Sequence, residues 1–176
     1  MRRLALVVIG ALLVCGCKDV PVVEVESQRG DTLKENMINA NRYIAQGEEA
    51  QIDAYVQRRG WEMKRLTGGA RVMVTADKPA ERTFDYEDVA ELKYSIETIG
   101  GEMIYGDLCD TVVVGRLQPT RGVDAALRTL HTGASAIVIL PSEQGYGVVG
   151  DGDRIGSRMI LIYRLQTRLL ENNKTK

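Results

Sequence analysis

The segment of residues 112–147, VVVGRLQPTRGVDAALRTLHTGASAIVILPSEQGYG, decides the fold class. It opens with an apolar run that ends at Gly115, and a second apolar run, residues 134–140, follows Gly133. Between these glycines, apolar side chains recur at the spacing of one helix face, at Val123, Ala126, Leu127 and Leu130. A short amphipathic helix between two strands predicts a sheet wrapped around a single helix.

Further strands are predicted on both sides of this segment. Alternating apolar residues and turn residues place strands at residues 71–75, 89–98, 102–105, 111–114, 134–140 and 158–165. A glycine-rich loop, residues 145–156, separates the last two strands. These two strands are nearly all apolar, as expected when one face packs on a helix and the other is partly covered. The predicted fold class is α+β.

Two helices are predicted ahead of the strands. The sequence TLKE at residues 32–35 fits a capping box, and the helix that it opens would end at Gly47. A second helix, residues 48–59, would end at Gly60. We expect this helical lead-in to pack on the main domain or to form a homodimer with another copy of the chain.

The N-terminus resembles the signal sequence of a bacterial lipoprotein. Arg2 and Arg3 precede an apolar run, residues 4–14, which is shorter than the roughly 20 residues that a membrane span needs. Gly16 and Cys17 then stand where the lipobox has a small residue and the cysteine that becomes acylated. A plain signal peptide and a short signal anchor remain alternatives.

Acylation of Cys17 would attach the protein to a lipid bilayer of the bacterial cell envelope, which we expect to be the outer membrane, on its periplasmic or surface face. The predicted organisation is a signal peptide (residues 1–16), a lipidated tether (17–30), the helical lead-in (31–66), the main domain (68–170) and a polar tail (171–176).

Composition and motifs disfavour several classes of function. The formal net charge is −1, so the composition does not indicate the positive charge that nucleic-acid binding needs. His131 is the single histidine, and Cys109 lacks the surroundings of a nucleophile. Residues 145–150 lack the Lys-Ser/Thr of a phosphate loop, and Asp151 and Asp153 are too few ligands for a Ca²⁺ loop. No cofactor and no metal are predicted.

The order of elements resembles that of the FKBP-type peptidyl-prolyl cis-trans isomerases, and the family pattern can be laid on residues 115–165 without a gap. The matching positions are Gly115, Gly122, Gly133, Tyr146-Gly147, Ile155 and Tyr163, with Tyr94 and Gly101 upstream. Residues 55–69 resemble the lead-in of lipoprotein members from Gram-negative bacteria. The resemblance implies an FKBP-like antiparallel curved sheet wrapped around one short helix, with an N-terminal helical lead-in.

The resemblance also implies an activity and a site. Family members hold an X-Pro amide of a polypeptide client in an apolar pocket and speed its rotation, which would make this protein a folding helper. The positions implied as catalytic are Tyr146, Tyr94, Tyr163 and Ile155, with the Tyr146 hydroxyl donating to the substrate carbonyl. The positions implied as substrate-binding are Ile104, Tyr105, Asp110, Thr120 and Val123.

Several pocket positions depart from the family pattern. Val123 replaces the tryptophan of the pocket floor, Tyr105 replaces an acidic residue, and Asp110 replaces an aromatic one. Pro119-Thr120 replaces a Val-Ile pair, although the Thr120 N–H could still serve as a donor. The Tyr105 ring could refill the volume lost at the floor. A non-catalytic FKBP-like protein-binding or envelope-assembly module, and a structural lipoprotein that dimerises through its lead-in, remain alternatives.

Overall fold

The computed structural model describes the backbone of residues 25–171 and the side chains of residues 32–170. The predicted signal peptide (residues 1–16), the acylation of Cys17 and most of the predicted polar tail (171–176) lie outside the described residues. The chain divides after Asn39 into two compact units, and the second contains all the described strands.

One sheet of six strands forms the domain, and every pair of neighbours in it is antiparallel. The strands are β1 (Lys64–Arg65), β2 (Arg71–Ala76), β3 (Val89–Thr98), β4 (Met103–Val113), β5 (Ser135–Leu140) and β6 (Leu161–Glu171). Their spatial order is β1-β2-β5-β6-β3-β4. The α+β fold class and the curved antiparallel sheet predicted from the sequence are confirmed.

The two faces of the sheet pack against different partners, because successive side chains of a strand point to opposite sides. On β5, Val138 and Leu140 belong to the main core, whereas Ile137 and Ile139 belong to a second apolar cluster. The main core includes the helix α2 (Arg121–Leu127), and the second cluster includes the helix α1 (Val25–Arg59). We call the two sides the α2 face and the α1 face.

The short helix predicted inside the sheet is confirmed as α2. Thr120 is its N-cap, and the Thr120 hydroxyl oxygen accepts a hydrogen bond from the Val123 N–H at 3.4 Å. A Cβ atom on Gly122 would lie 2.3 Å from Leu140 Cδ2 of β5. Glycine at this position therefore lets the helix press closely against the sheet.

The lead-in differs from the prediction, because the two expected helices are one helix, α1. It begins at Val25, inside the predicted tether of residues 17–30, and passes through Gly47 without a break. A glycine in a helix interior costs only about 1 kcal/mol, and the burial of Ile52 and Tyr55 against the α1 face outweighs that cost. The predicted end is confirmed: Gly60 follows the helix with φ 64°.

Two strand predictions also need correction. The strands expected at residues 102–105 and 111–114 are one strand, β4, which continues through a bulge. Between the pairs Tyr94–Leu108 and Ile96–Tyr105, one residue of β3 faces both Gly106 and Asp107 of β4. The last strand, β6, starts at Leu161 and ends at Glu171 rather than spanning residues 158–165, because it pairs with the full length of β3.

Candidate functional site

The α2 face of the sheet brings together two of the predicted tyrosines. Tyr94 of β3 and Tyr163 of β6 lie on neighbouring strands, and their rings stack with centroids 5.6 Å apart and planes at 28°. Tyr94 is 7% exposed and Tyr163 is 0% exposed. Both rings are therefore walls of the main core as well as parts of the predicted site.

The two tyrosine hydroxyls differ in their partners. The Tyr94 hydroxyl donates a hydrogen bond of 2.5 Å to the Asp110 carboxylate of β4. The Tyr163 hydroxyl is buried near the polar groups of Tyr146 and Thr120, and in the described chain it makes no hydrogen bond of good geometry. Burial, more than the Asp110 charge, raises the pKa of Tyr94. Burial likewise raises the pKa of Tyr163, and the neighbouring Tyr146 raises it further. Both groups remain protonated donors at neutral pH.

The Asp110 contact changes the interpretation of two departures from the family pattern. The pattern has an acidic residue at position 105 and an aromatic one at position 110, and this chain has Tyr105 and Asp110 in those places. The two residue types are exchanged, and in this chain the carboxylate at β4 position 110 accepts the hydrogen bond from Tyr94. The prediction that Asp110 is a substrate-binding position stays untested, but the structure gives the residue a defined partner.

Tyr105 connects the long loop before β6 to the start of β4. The Tyr105 hydroxyl donates to Asp151 Oδ2 at 2.7 Å and to Asp153 Oδ2 at 3.1 Å, and the Arg154 guanidinium lies 5.1 Å from the centre of the Tyr105 ring. The Asp151 hydrogen bond raises the pKa of Tyr105 to about 12, and the same bond lowers the pKa of Asp151. Tyr105 therefore acts as a latch on the loop, and its ring packs against the main core.

Asp151, which accepts from Tyr105, also bonds to the loop backbone as far as Ile155. Its Oδ1 accepts hydrogen bonds from the Asp153 N–H at 2.9 Å and the Ile155 N–H at 2.8 Å. Ile155 is buried in the main core. The sequence assigned no role to Asp151, although the Asp-Gly-Asp pattern is typical of a turn in which an aspartate accepts from backbone N–H groups.

Tyr146 stands at the rim, in the turn between β5 and β6. Its side chain is half-buried and packs against the main core. The N–H groups of Gly145 and Gly147, on either side of it, both donate to the Ser142 carbonyl, at 3.0 and 2.8 Å. These two hydrogen bonds therefore fix the backbone on both sides of Tyr146, whose hydroxyl the resemblance assigns to the substrate carbonyl.

Most of the predicted walls of the expected apolar pocket are buried core residues. Val123 is 1% exposed and Tyr163 is 0% exposed, and Thr120, Ile104 and Ile155 are also buried. Only Tyr146 and Tyr105, which are half-buried, and Asp110, which is exposed, border solvent to a substantial extent. The floor left by the missing tryptophan is therefore packed, and access to the site is from the rim.

A cavity of about 780 Å³ lies elsewhere on the domain. Its lining includes Ile137, Lys93 and Arg164, whose side chains are on the α1 side of the sheet. Tyr94 is the only residue of the predicted site that borders it. This cavity does not correspond to the pocket that the resemblance implies.

Two solved structures are similar to this chain. A peptidyl-prolyl cis-trans isomerase from Pseudomonas syringae pv. tomato superposes with a TM-score of 0.58 at 20% identity, over 74% of this chain and 93% of its own. The N-terminal domain of FKBP42 from Arabidopsis thaliana superposes with a TM-score of 0.56 at 16% identity, over 62% of this chain and 93% of its own. The chain has the FKBP fold. No protein-family model and no curated protein matches the sequence.

Among residues 25–171, no helix has both the length and the apolar character needed to cross a bilayer. Within the same part of the chain, no group of three or more His, Cys, Asp or Glu side chains is arranged to hold a metal ion.

Proposed function

We propose that this protein is an FKBP-type peptidyl-prolyl cis-trans isomerase that acts on X-Pro bonds of exported polypeptides. The observation that carries the proposal is the Tyr94–Asp110 hydrogen bond beside the stacked Tyr163 ring. It supports the proposal because tyrosine rings and a hydrogen-bonded carboxylate lie together on the α2 face, at positions that the resemblance assigns to the substrate pocket.

The proposed reaction needs no covalent step. Resonance makes the peptide bond planar, with a rotation barrier of about 18–20 kcal/mol, and removal of the amide from water weakens this dipolar ground state. The apolar residues around Ile155 supply the dry surroundings, and the half-buried Tyr146 supplies a hydroxyl donor for the carbonyl before the proline. Each 1.36 kcal/mol removed from the barrier gives a tenfold faster rate.

A second candidate function is a non-catalytic FKBP-like module that binds a protein partner. The observation in its favour is the packed floor at Val123 and Tyr163, which leaves little depth for a proline ring. The two candidates differ in one outcome, because a binding module would bind polypeptide without changing the rate of prolyl rotation.

We further propose that acylated Cys17 anchors the protein to a bilayer of the bacterial envelope and that α1 mediates a homodimer. Residues 1–24 lie outside the described part of the chain, so the anchor rests on the lipobox resemblance alone. Support for the dimer comes from the first unit, where Leu33, Met37 and Ile38 are 62%, 60% and 49% exposed. Exposed apolar side chains on one helix segment are typical of a surface covered by a second chain.

The isomerase proposal is tested by prolyl cis/trans exchange in a short X-Pro peptide, with protein that starts at Lys18. A Tyr146→Phe variant is the matched control, because it keeps the ring and removes the hydroxyl. Exchange that is accelerated by the wild type and slowed by the substitution supports the proposal. Peptide binding without acceleration favours the binding module.

A further inference from the structure

The helix α1 contacts the turn that carries Tyr146, and we infer that Glu48 of α1 is a positioning residue for this tyrosine. The inference deepens the proposed function and rests on it. It assigns to the lead-in helix a part in the isomerase site, beyond any role as a spacer or a dimer contact.

Glu48 makes two buried hydrogen bonds to Ser142. Its Oε2 accepts from the Ser142 N–H at 2.8 Å, and its Oε1 accepts from the Ser142 hydroxyl at 2.6 Å. Glu48 is 7% exposed and Ser142 is 2% exposed. Hydrogen bonds of this kind, with a charged acceptor and no competing water, are among the stronger ones in proteins.

Ser142 starts a short 3₁₀ helix, Ser142–Gln144, whose first N–H groups need acceptors from outside the helix. Pro141 precedes it and provides no side-chain cap. The carboxyl group of Glu48, 94 positions earlier in the chain, takes this place. A side chain of α1 therefore caps the 3₁₀ helix at Ser142, a role that a residue next to the helix usually has.

The same residue also fixes Tyr146. The Ser142 carbonyl accepts from both Gly145 and Gly147, so the peptide groups that flank Tyr146 are bonded to the residue that Glu48 holds. A displacement of Ser142 would be transmitted to Tyr146 through these two bonds. An error of about 1 Å in the position of a catalytic group can reduce a rate by up to about 100-fold.

Other polar contacts of α1 provide a control. Asp53 Oδ1 accepts from the Arg71 guanidinium of β2 at 2.7 Å, and Glu49 pairs with Arg65 of β1. These contacts fasten α1 to β1 and β2, on the side of the sheet where Arg71 pairs with Ile139 of β5, and neither of them includes a group of Ser142. Loss of the Asp53 contact would weaken the docking of α1 while leaving the cap on Ser142 in place.

The test compares Glu48→Ala, Glu48→Gln, Ser142→Ala and Asp53→Asn in the full-length chain in mild detergent. One measurement is kcat and KM for exchange of an X-Pro peptide. A second is hydrogen–deuterium exchange of residues 143–150, read by mass spectrometry. A third is the emission of Trp61, the one tryptophan, which packs edge-on against Tyr55 and reports the docking of α1.

We expect Glu48→Ala to lower kcat roughly tenfold, with faster deuterium uptake in residues 143–150 and unchanged Trp61 emission. Glu48→Gln keeps one acceptor, so its loss should be smaller. Asp53→Asn should keep kcat within about twofold of the wild type, because the Glu48 carboxyl group would still accept both hydrogen bonds from Ser142.

The inference is overturned if Glu48→Ala leaves kcat or the deuterium uptake of residues 143–150 within about twofold of the wild type, or if Asp53→Asn has the same effects as Glu48→Ala. If Glu48→Ala fails to fold, Ser142→Ala decides by the same two measurements. A wild type without isomerase activity would remove the proposed function only, and the deuterium uptake alone would then decide the positioning of the turn.

Discussion

Tyr94 and Tyr163 stack 5.6 Å apart, yet the hydroxyl of Tyr94 has a carboxylate partner and that of Tyr163 has none in the described chain. The pair therefore offers two matched substitutions, each of which removes one hydroxyl from the same core. A buried polar group without a partner costs about 1–3 kcal/mol, whereas a satisfied one contributes about 1 kcal/mol.

We predict that Tyr163→Phe raises the free energy of unfolding by about 1 kcal/mol and that Tyr94→Phe lowers it by about 1 kcal/mol. Urea unfolding of both variants measures the two changes. If Tyr163→Phe is the more destabilising of the two, the Tyr163 hydroxyl has a partner in the folded protein and the account of the site floor is wrong.

The continuity of α1 can be tested at Gly47. A Cβ atom there would meet nothing within 4 Å, and the residue lies inside the helix, so Gly47→Ala should raise the free energy of unfolding by about 0.5–1 kcal/mol. Gly60 provides the contrast, because its φ of 64° strains an alanine and Gly60→Ala should destabilise. A destabilising Gly47→Ala would indicate that the helix breaks where the sequence first suggested.

The Tyr105–Asp151 latch should depend on pH in a defined window. The raised pKa of Tyr105, about 12 against an ordinary 10.0, favours folding below pH 10.0, and this contribution is lost as the pH rises toward 12. The lowered pKa of Asp151 gives a contribution that is present above its ordinary 3.8 and lost as the pH falls below it. We expect the stability difference between wild type and Tyr105→Phe to be constant between these limits and to shrink outside them.

Thermal unfolding across pH 3 to 11 measures this window, with deuterium uptake of residues 151–155 as the local readout. Arg154→Ala is the matched control, since it removes the cation over the ring and keeps the hydrogen bond. A difference between wild type and Tyr105→Phe that does not change with pH would contradict the latch.

Much of the architecture follows from local patterns. Gly115, Gly122 and Gly133 mark the limits of α2 and its flanking strands, because each occurs where the chain must turn or approach closely. The apolar runs of β5 and β6 predict a sheet covered on both faces, and the structure covers them with α2 and α1. These features depend on a few neighbouring residues, which is why the sequence alone suffices for them.

The errors concern features that depend on distant parts of the chain. Gly47 is a plausible helix end by local propensity, but the packing of Ile52 and Tyr55 on the sheet decides otherwise. The approach of Asp110 to Tyr94 depends on the β3–β4 register, which a bulge at Gly106 and Asp107 sets. Neither local strand propensity nor a sequence motif predicts that register.

The cap from Glu48 to Ser142 was equally beyond prediction, because it joins residues 94 positions apart. The sequence places Glu48 at the start of an expected second helix, where an acidic side chain would be assigned to the helix dipole. Only the docking of α1 on the sheet shows that this carboxyl group caps a different turn.

The central claim is that the tyrosine-lined site on the α2 face speeds rotation about X-Pro bonds. Its most direct test is the cis/trans exchange rate of a short X-Pro peptide, measured by NMR with the chain from Lys18 onward and with Tyr146→Phe. We predict exchange faster than in buffer, in proportion to protein concentration, and a fall of about tenfold or more in the catalysed rate in the variant. An exchange rate equal to that in buffer at every protein concentration would contradict the account.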